Sequence, residues 1–159
     1  MKIGIVAGEA SGDLLGSLLI KALKAEYPLL EFVGIAGPKM QSAGAVSWYP
    51  MEKLAVRGYV EVLKSFREIL AIRRGLRNRM LTERPSMFIG IDAPDFNLGL
   101  EKTLKLAGIP TIHYVSPSIW AWRGERIHQI KQSVTHMLTV FPFEPVIYEQ
   151  AGIPATFVG

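Results

Sequence analysis

Short apolar runs alternate with longer amphipathic segments along this chain, and this alternation limits the fold more than any other feature of the sequence. The segments between the runs, the longest from Val60 to about Thr82, have the spacing of helices. Strands that alternate with helices form βαβ units. We therefore expect one α/β domain with a doubly wound, mostly parallel Rossmann-like sheet. The runs predict strands at 2–7, 32–36, 46–49, 87–91, 111–115, 134–140 and 155–158.

The composition is that of one packed domain and argues against several classes of protein. The chain has 159 residues, of which 49% are hydrophobic and 20% charged, as in soluble globular domains. The absence of cysteine excludes disulfides and cysteine-ligated zinc. The sequence predicts neither a signal peptide nor a membrane-spanning segment. The net charge of +4 favours anionic partners, but the Lys/Arg blocks and aromatic motifs of nucleic-acid-binding domains do not occur.

The strand predicted at Met87–Ile91 runs directly into the sequence Asp92-Ala-Pro-Asp95. In doubly wound sheets, ligands bind at the carboxyl ends of the strands, so both carboxylates are expected at the rim of the ligand crevice. A carboxylate there can act as a general base on a substrate hydroxyl. Asp95 also fits the N-cap of the next helix, whereas Asp92 has no comparable structural role. We therefore predict that Asp92 is the catalytic residue.

The loop after the first strand does not match the two familiar phosphate-binding motifs. A dinucleotide fingerprint starting at Gly8 requires glycine in place of Ala10 and Asp13, and a P-loop requires glycine and lysine at positions 13 and 14. The carboxylates of Glu9 and Asp13 would repel a phosphate, but they can accept hydrogen bonds from sugar hydroxyls. The alternative is that Ser11 or Asp13 only caps the following helix. The apolar residues of that helix are Leu14, Leu15, Leu18, Leu19, Ala22 and Leu23.

A second candidate surface is the segment from Ser116 to Arg123, which holds Trp120 and Trp122. The two rings can stack on sugar faces or acyl chains while the guanidinium binds an anion. Packing in the core or against another domain is the alternative for each ring.

The three histidines have no spacing typical of metal ligands, and no Gly-x-Ser-x-Gly elbow occurs. We expect no metal and no cofactor.

The long predicted helix and its exit are rich in basic residues. With the apolar segment Leu54–Tyr59 before it, the helix can rest on an anionic bilayer or receive an amphiphile. A solvated basic face is the alternative. The apolar face is predicted at Val62, Phe66, Ile69, Leu76 and Met80. The basic residues are Lys64, Arg67, Arg73, Arg74, Arg77, Arg79 and Arg84, against Glu61, Glu68 and Glu83.

Six motifs, in order and over nearly the whole chain, together resemble one family, the lipid-A-disaccharide synthases. Any one of them is weak evidence, but six in register are specific. They are Ala7-Gly-Glu-Ala-Ser-Gly-Asp13, Gly34-Ile-Ala-Gly-Pro-Lys-Met40, Leu54-Ala-Val-Arg-Gly-Tyr-Val-Glu-Val-Leu63, Gly90-Ile-Asp-Ala-Pro-Asp-Phe-Asn97, Tyr114-Val-Ser-Pro-Ser-Ile-Trp-Ala-Trp-Arg123 and Phe141-Pro-Phe-Glu144.

The resemblance implies an inverting glycosyltransferase of the glycosyltransferase B fold, with residues 1–159 as its amino-terminal, acceptor-side domain. Such enzymes transfer 2,3-diacylglucosamine from UDP to 2,3-diacylglucosamine 1-phosphate, without a metal, and form the β(1→6)-linked precursor of lipid A. The implied location is cytoplasmic, peripheral on the anionic cytoplasmic face of the bacterial inner membrane. A homodimer of the full-length enzyme is left open.

The resemblance also assigns residues. Asp92 matches the family's essential acidic residue, as general base. Expected substrate-binding residues are Glu9, Ser11 and Asp13 in the first loop, and Asp95, Asn97, Ser116, Trp120 and Arg123 elsewhere in the cleft. Membrane or acyl contacts are expected at Leu54, Val56, Tyr59, Arg73 and Arg77. At Arg57 the family usually has Met.

The family continues beyond Gly159 with a second half that carries most of the UDP-sugar site and an essential arginine. We therefore expect little or no turnover by these residues alone. Alternatives are another glycosyltransferase B enzyme or a sugar-nucleotide epimerase, a non-catalytic nucleotide-binding module, and a membrane-surface binding domain.

Overall fold

In the part of the chain that the computed structural model describes, seven strands form a parallel sheet in the order β3-β2-β1-β4-β5-β6-β7. The structure describes residues 1–55, 59–118 and 125–159, with side chains from residue 65 onward in the long helix. The strands are β1 (Lys2–Ala7), β2 (Glu31–Ala36), β3 (Val46–Pro50), β4 (Met87–Ile91), β5 (Thr111–Tyr114), β6 (His136–Thr139) and β7 (Ala155–Phe157). The predicted doubly wound parallel sheet is confirmed.

Helices connect successive strands, as the alternating pattern predicted. A short 3-10 helix, Met51–Leu54, follows β3. Prolines stand at the start of α2, α4 and α6, where the missing amide hydrogen costs nothing. The helices are α1 (Ala10–Glu26), α2 (Pro38–Ser42), α3 (Tyr59–Glu83), α4 (Pro94–Leu106), α5 (Arg126–Ser133) and α6 (Glu144–Gln150).

The strand order reverses between β1 and β4, which lie side by side at the centre of the sheet. Crossover connections between parallel strands are right-handed. The helices that lead to β2 and β3 therefore cover one face of the sheet, and the helices that lead to β4 through β7, which run in the other direction along the sheet, cover the opposite face. In agreement, α1 packs against α2, and α4 packs against α3 and α5. The main core lies around β1, β2 and β4. This reversal is where doubly wound sheets bind ligands.

In two helices some of the predicted apolar residues are exposed, while the others, among them Leu15, Leu19 and Leu23 in α1 and Ile69 in α3, pack against the core. In α1, Leu14 and Leu18 are exposed, because the buried stripe contains Gly12, Gly16 and Ser17. A methyl group at Gly16 would lie 2.6 Å from the Met40 sulfur, so the helix lies too close to its neighbours for a larger residue. In α3, Ile72, Leu76 and Met80 are buried, but Phe66 is exposed, so its assignment to the apolar face was wrong.

Asp13 holds two elements together. It is buried in α1, and its carboxylate accepts hydrogen bonds from the amides of Lys39 (3.0 Å) and Met40 (2.9 Å) at the start of α2. It therefore satisfies amides in the first turn of α2 rather than capping α1, whose N-cap is Glu9 without a side-chain hydrogen bond.

We predict that Asp13→Asn lowers the free energy of unfolding. One amide of α2 then faces an NH₂ group instead of an acceptor, which should cost about 1–3 kcal/mol. Denaturant-induced unfolding measures this loss. The control is Glu9→Gln in the neighbouring exposed position, which should change stability by less than about 0.5 kcal/mol. Equal stability of Asp13→Asn and the unmodified chain would contradict the structural role.

Candidate active site

A crevice of about 640 Å³ opens at the carboxyl ends of β1 and β4, at the point where the strand order reverses. Ala7 pairs with Ile91 in the last register position of the two strands, so the loops that follow them begin side by side. Glu9, from the first loop, and Asp92, from the second, line the same crevice. Leu54 lines it from the 3-10 helix.

The backbone at Asp92 is held in an unusual conformation. Asp92 and Ala93 have φ angles of 50° and 42°, in the left-handed region that residues with a Cβ rarely adopt. Such residues cost of order 1–3 kcal/mol each and persist only where their surroundings hold them. Here the Asp92 amide donates to the Tyr114 carbonyl (2.8 Å), and the Asn97 side-chain amide donates to the Asp92 carbonyl (3.0 Å).

The Asp92 carboxyl is half-buried, and its surroundings change its acidity. Burial raises the pKa of Asp92 above its usual range, and the negative charge of Glu9 raises it further. The charge of His113 and a hydrogen bond from the Ala93 amide lower it, without cancelling the rise. A carboxylate with a raised pKa is a better proton acceptor than an ordinary aspartate.

A polar cluster lies beneath Asp92, inside the domain. Glu101 on α4 and His113 on β5 are fully buried, and 2.8 Å separates Oε1 of the acid from Nδ1 of the imidazole. Burial raises the pKa of Glu101, against the opposing effect of His113. Neither residue was predicted from the sequence to be functional. The sequence did contain a sign of this pair: Glu101 is a charged residue on the apolar side of a predicted helix, and His113 lies inside a predicted buried strand.

Other residues predicted to bind substrate differ in their access to the crevice. Ser11 donates to Glu9 Oε1 at 3.1 Å on the exposed rim. Asp13 is turned inward to α2. Asn97 is fully buried and bonds the Asp92 carbonyl, so it orients that loop. The substrate-binding role of these residues stays a prediction, and burial of Asp13 and Asn97 favours a structural contribution.

Asp95 and Ser116 occupy different environments. Asp95 is exposed and pairs with Arg126 of α5 at 2.6 Å. It lies within the first turn of α4, whose N-cap is Ala93, so the alternative reading of Asp95 as the N-cap was wrong. Ser116 is buried, donates to the Pro117 carbonyl and lies in hydrogen-bond contact with the Tyr148 hydroxyl.

Several predicted residues lie outside the part of the chain that the structure describes. Trp120 and Arg123 fall in the segment 119–124, and Val56 in the segment 56–58. Tyr59 begins α3, but its side chain is not described. Their predicted roles in substrate binding and membrane contact stay predictions.

A separate cavity of about 290 Å³ lies between α3 and α4. It is lined by Arg73, Arg74, Arg77 and Thr103, and none of its lining residues is acidic. Burial lowers the pKa of Arg73, and the nearby charge of Arg77 lowers it further. Guanidinium groups gathered without an acid in the same cavity favour an anion there.

Comparison with known proteins identifies close relatives. The chain is 60% identical over 159 residues to the lipid-A-disaccharide synthase of Chromobacterium violaceum, covering all of this chain and 41% of that protein. It is 63% identical over 157 residues to the lipid-A-disaccharide synthase of Methylobacillus flagellatus, covering 99% of this chain and 42% of that protein. The chain thus spans about two fifths of the length of these curated relatives.

A solved structure has the same fold. The crystal structure of Arabidopsis thaliana UGT89C1 complexed with UDP aligns with a TM-score of 0.56 and 12% sequence identity, over 99% of this chain and 48% of that one. At this identity the likeness concerns the fold alone. The model of one family, lipid-A-disaccharide synthetase, matches residues 3–159. Because that match takes in nearly the whole sequence, the chain belongs to the lipid-A-disaccharide synthetase family.

Proposed function

We propose that this chain is the acceptor-side domain of a lipid-A-disaccharide synthase and that Asp92 is its general base. The observation that carries the proposal is the position of Asp92, half-buried in the crevice at the end of β4, with a pKa raised by burial and by Glu9. The acceptor is 2,3-diacylglucosamine 1-phosphate and the donor is UDP-2,3-diacylglucosamine. The homodimer that the resemblance leaves open stays a prediction.

In this mechanism Asp92 takes the proton from the 6-hydroxyl of the acceptor as that oxygen attacks the anomeric carbon of the donor. The new glycosidic bond forms on the face opposite the departing UDP, which inverts the configuration. The exposed carboxylate of Glu9 accepts hydrogen bonds from sugar hydroxyls. We place the groups that bind UDP in the part of the full-length enzyme outside these 159 residues.

We predict that Asp92→Asn nearly abolishes transfer in a full-length enzyme that contains this sequence. Loss of a general base should lower kcat roughly a hundred- to ten-thousand-fold, because asparagine cannot take up the proton. Acceptor affinity should change little, since the amide keeps the shape of the carboxyl. A steady-state assay with both substrates, and acceptor titration by calorimetry, measure the two quantities.

The control for this experiment is Asp95→Asn, which makes the same change in the exposed carboxylate three positions away. It should lose far less activity than Asp92→Asn. Full activity of Asp92→Asn would remove that residue from the role of base.

The pH dependence of the reaction provides a second prediction. Asp92 must be ionised to accept a proton, so activity should fall as the pH drops through its pKa. Because Glu9 raises that pKa, Glu9→Gln should lower it and shift the acid limb of the kcat/KM profile to lower pH. Glu52 also lines the crevice but is not among the groups that shift the pKa of Asp92, so Glu52→Gln should shift the acid limb of the profile less. An acid limb that stays in place, or moves to higher pH, would contradict this coupling.

We also propose that the enzyme acts at the cytoplasmic face of the inner membrane and that α3 contacts the anionic surface. In the part of the chain that the structure describes, no helix is both long and apolar enough to cross a bilayer. Phe66 and Leu70 are exposed on α3, and Arg73 and Arg77 follow on the same side of the helix. An exposed apolar pair beside arginines suits the acyl and phosphate parts of a lipid.

We predict that Arg73→Gln with Arg77→Gln weakens binding to vesicles of phosphatidylglycerol and phosphatidylcholine. A basic residue near an anionic bilayer contributes about 1 kcal/mol, so the double variant should bind about thirtyfold more weakly at low salt. Vesicle sedimentation of the 159-residue chain measures this.

The matched control is Lys21→Gln with Lys24→Gln, which removes the same charge from α1 on the opposite face of the sheet. Equal weakening by both pairs would mean that net charge alone, and not the face of α3, determines binding.

A further inference from the structure

The cavity between α3 and α4 is separate from the crevice in which the proposed reaction takes place. Among the residues that the structure describes, none lines both. The apolar lining of the cavity includes Leu70 and Leu100, and its charged lining consists of Arg73, Arg74 and Arg77. Three guanidinium groups around a space of about 290 Å³ repel one another unless an anion lies between them.

The acidic side chains described on these two helices all have other partners. The contacts are those of Glu68 with Lys53, Glu83 with Lys2, Asp95 with Arg126 and Glu101 with His113. Among the described side chains, no ion pair includes an arginine of the cavity. A counter-ion for these arginines therefore has to come from solvent or from a ligand.

One of the three arginines is seated on the neighbouring helix. Arg73 is half-buried, and a methyl group at Gly99 would lie 1.6 Å from its Nη2 atom and 2.8 Å from its Cζ atom. The guanidinium thus lies directly on the backbone of α4, where only glycine leaves room for it. Burial and the charge of Arg77 both lower the pKa of Arg73, although an arginine keeps its charge. An anion in the cavity would offset both effects.

The hydrogen-bond donors of the cavity favour a phosphate monoester over other anions. A planar guanidinium can donate two parallel hydrogen bonds to a phosphate. A monoester carries close to two negative charges at pH 7 and three terminal oxygens, whereas a diester carries less charge and fewer such oxygens. The Thr103 hydroxyl donates to the Gly99 carbonyl at 3.3 Å, so the arginines are the donors that this lining offers a ligand.

The surface beside the cavity indicates that a lipid carries this phosphate. Leu70 lines the cavity and is itself exposed, and Phe66, one turn before it on α3, is also exposed. Residues four apart lie on the same side of a helix, so the two apolar side chains extend from the arginines toward the start of α3. A free phosphate would leave this apolar strip in water, whereas the acyl chains of a lipid can cover it.

We propose that the cavity between α3 and α4 is a binding site for the phosphate monoester head group of a membrane lipid, with its three arginines on the phosphate and with Phe66 and Leu70 against the acyl chains. This inference rests on the proposed contact of α3 with the membrane and specifies the group that α3 binds. It does not depend on the role of Asp92.

The first test compares phosphatidylcholine vesicles that contain phosphatidic acid, a monoester, with vesicles that contain phosphatidylglycerol, a diester. The two sets are matched in zeta potential, because diffuse attraction depends on the surface potential alone. In sedimentation, we expect the 159-residue chain to bind the phosphatidic acid vesicles about tenfold more tightly. Equal binding to both sets would overturn the proposal.

The variant Gly99→Ala tests the cavity without changing any charge. The added methyl group takes the place of the Arg73 guanidinium, and alanine favours the helix, so α4 should stay folded. The preference for phosphatidic acid should fall to within about twofold, while binding to phosphatidylglycerol stays nearly the same. If Gly99→Ala keeps the preference, the phosphate is recognised elsewhere and the proposal fails.

Two further variants support this comparison. Arg73→Lys keeps the positive charge but loses the planar fork, so it should lose the preference to a similar extent. The matched control is Gly12→Ala in α1, where the nearest atom, the Cβ of Ala7, would lie 3.4 Å from the added methyl group. It should keep the full preference. A loss in Gly12→Ala equal to that in Gly99→Ala would contradict a role specific to the cavity.

A soluble monoester distinguishes a lipid from a free phosphate compound. Glycerol 3-phosphate has the head group without the acyl chains, so we expect it to bind about a hundredfold more weakly than the phosphatidic acid vesicles in a competition experiment. If glycerol 3-phosphate binds as tightly as the vesicles, the ligand is a free phosphate compound and the assignment to a lipid is wrong.

The acceptor of the proposed reaction is itself a phosphate monoester, and kinetics of the full-length enzyme separate it from a second lipid. With acceptor dispersed in detergent, Gly99→Ala should leave the KM of the acceptor within about twofold, because the cavity and the crevice share no described residue. A tenfold rise would assign the cavity to the acceptor and overturn a separate lipid site.

Failure of this inference can be told apart from failure of the proposed membrane contact. Loss of the preference for phosphatidic acid with normal binding to phosphatidylglycerol defeats only the head-group site. Absence of binding to phosphatidylglycerol vesicles defeats the general contact of α3 with an anionic surface, and the phosphatidic acid vesicles still decide whether the cavity binds a monoester.

Discussion

The parallel pairing of β1 with β4 is the constraint on which the rest of the site depends. Its register places Ala7 beside Ile91, so both strands end at the same level of the sheet. The two loops that follow carry carboxylates, and the reversal of strand order leaves a crevice between them. Hydrogen bonds from β5 and α4 then fix the backbone at Asp92 in a conformation that an isolated loop would not keep.

Features determined locally could be predicted from sequence. β4 was predicted with the bounds observed, Met87–Ile91, because five residues between a proline and an aspartate leave few other structures. The crevice position of Asp92 followed from that strand, since parallel strands of a doubly wound sheet present their carboxyl ends to the same edge. The approach of Glu9 to the same crevice could be predicted for the same reason.

Features determined by partners far along the chain could not be predicted in this way. The buried side of α1 depends on how closely Gly16 approaches Met40, and hydrophobicity alone favours the leucines instead. The role of Asp13 depends on the amides of α2, 26 and 27 positions away. The contact of Glu101 with His113 joins a helix to a strand. In each case a polar or small residue at a buried position was the only local sign.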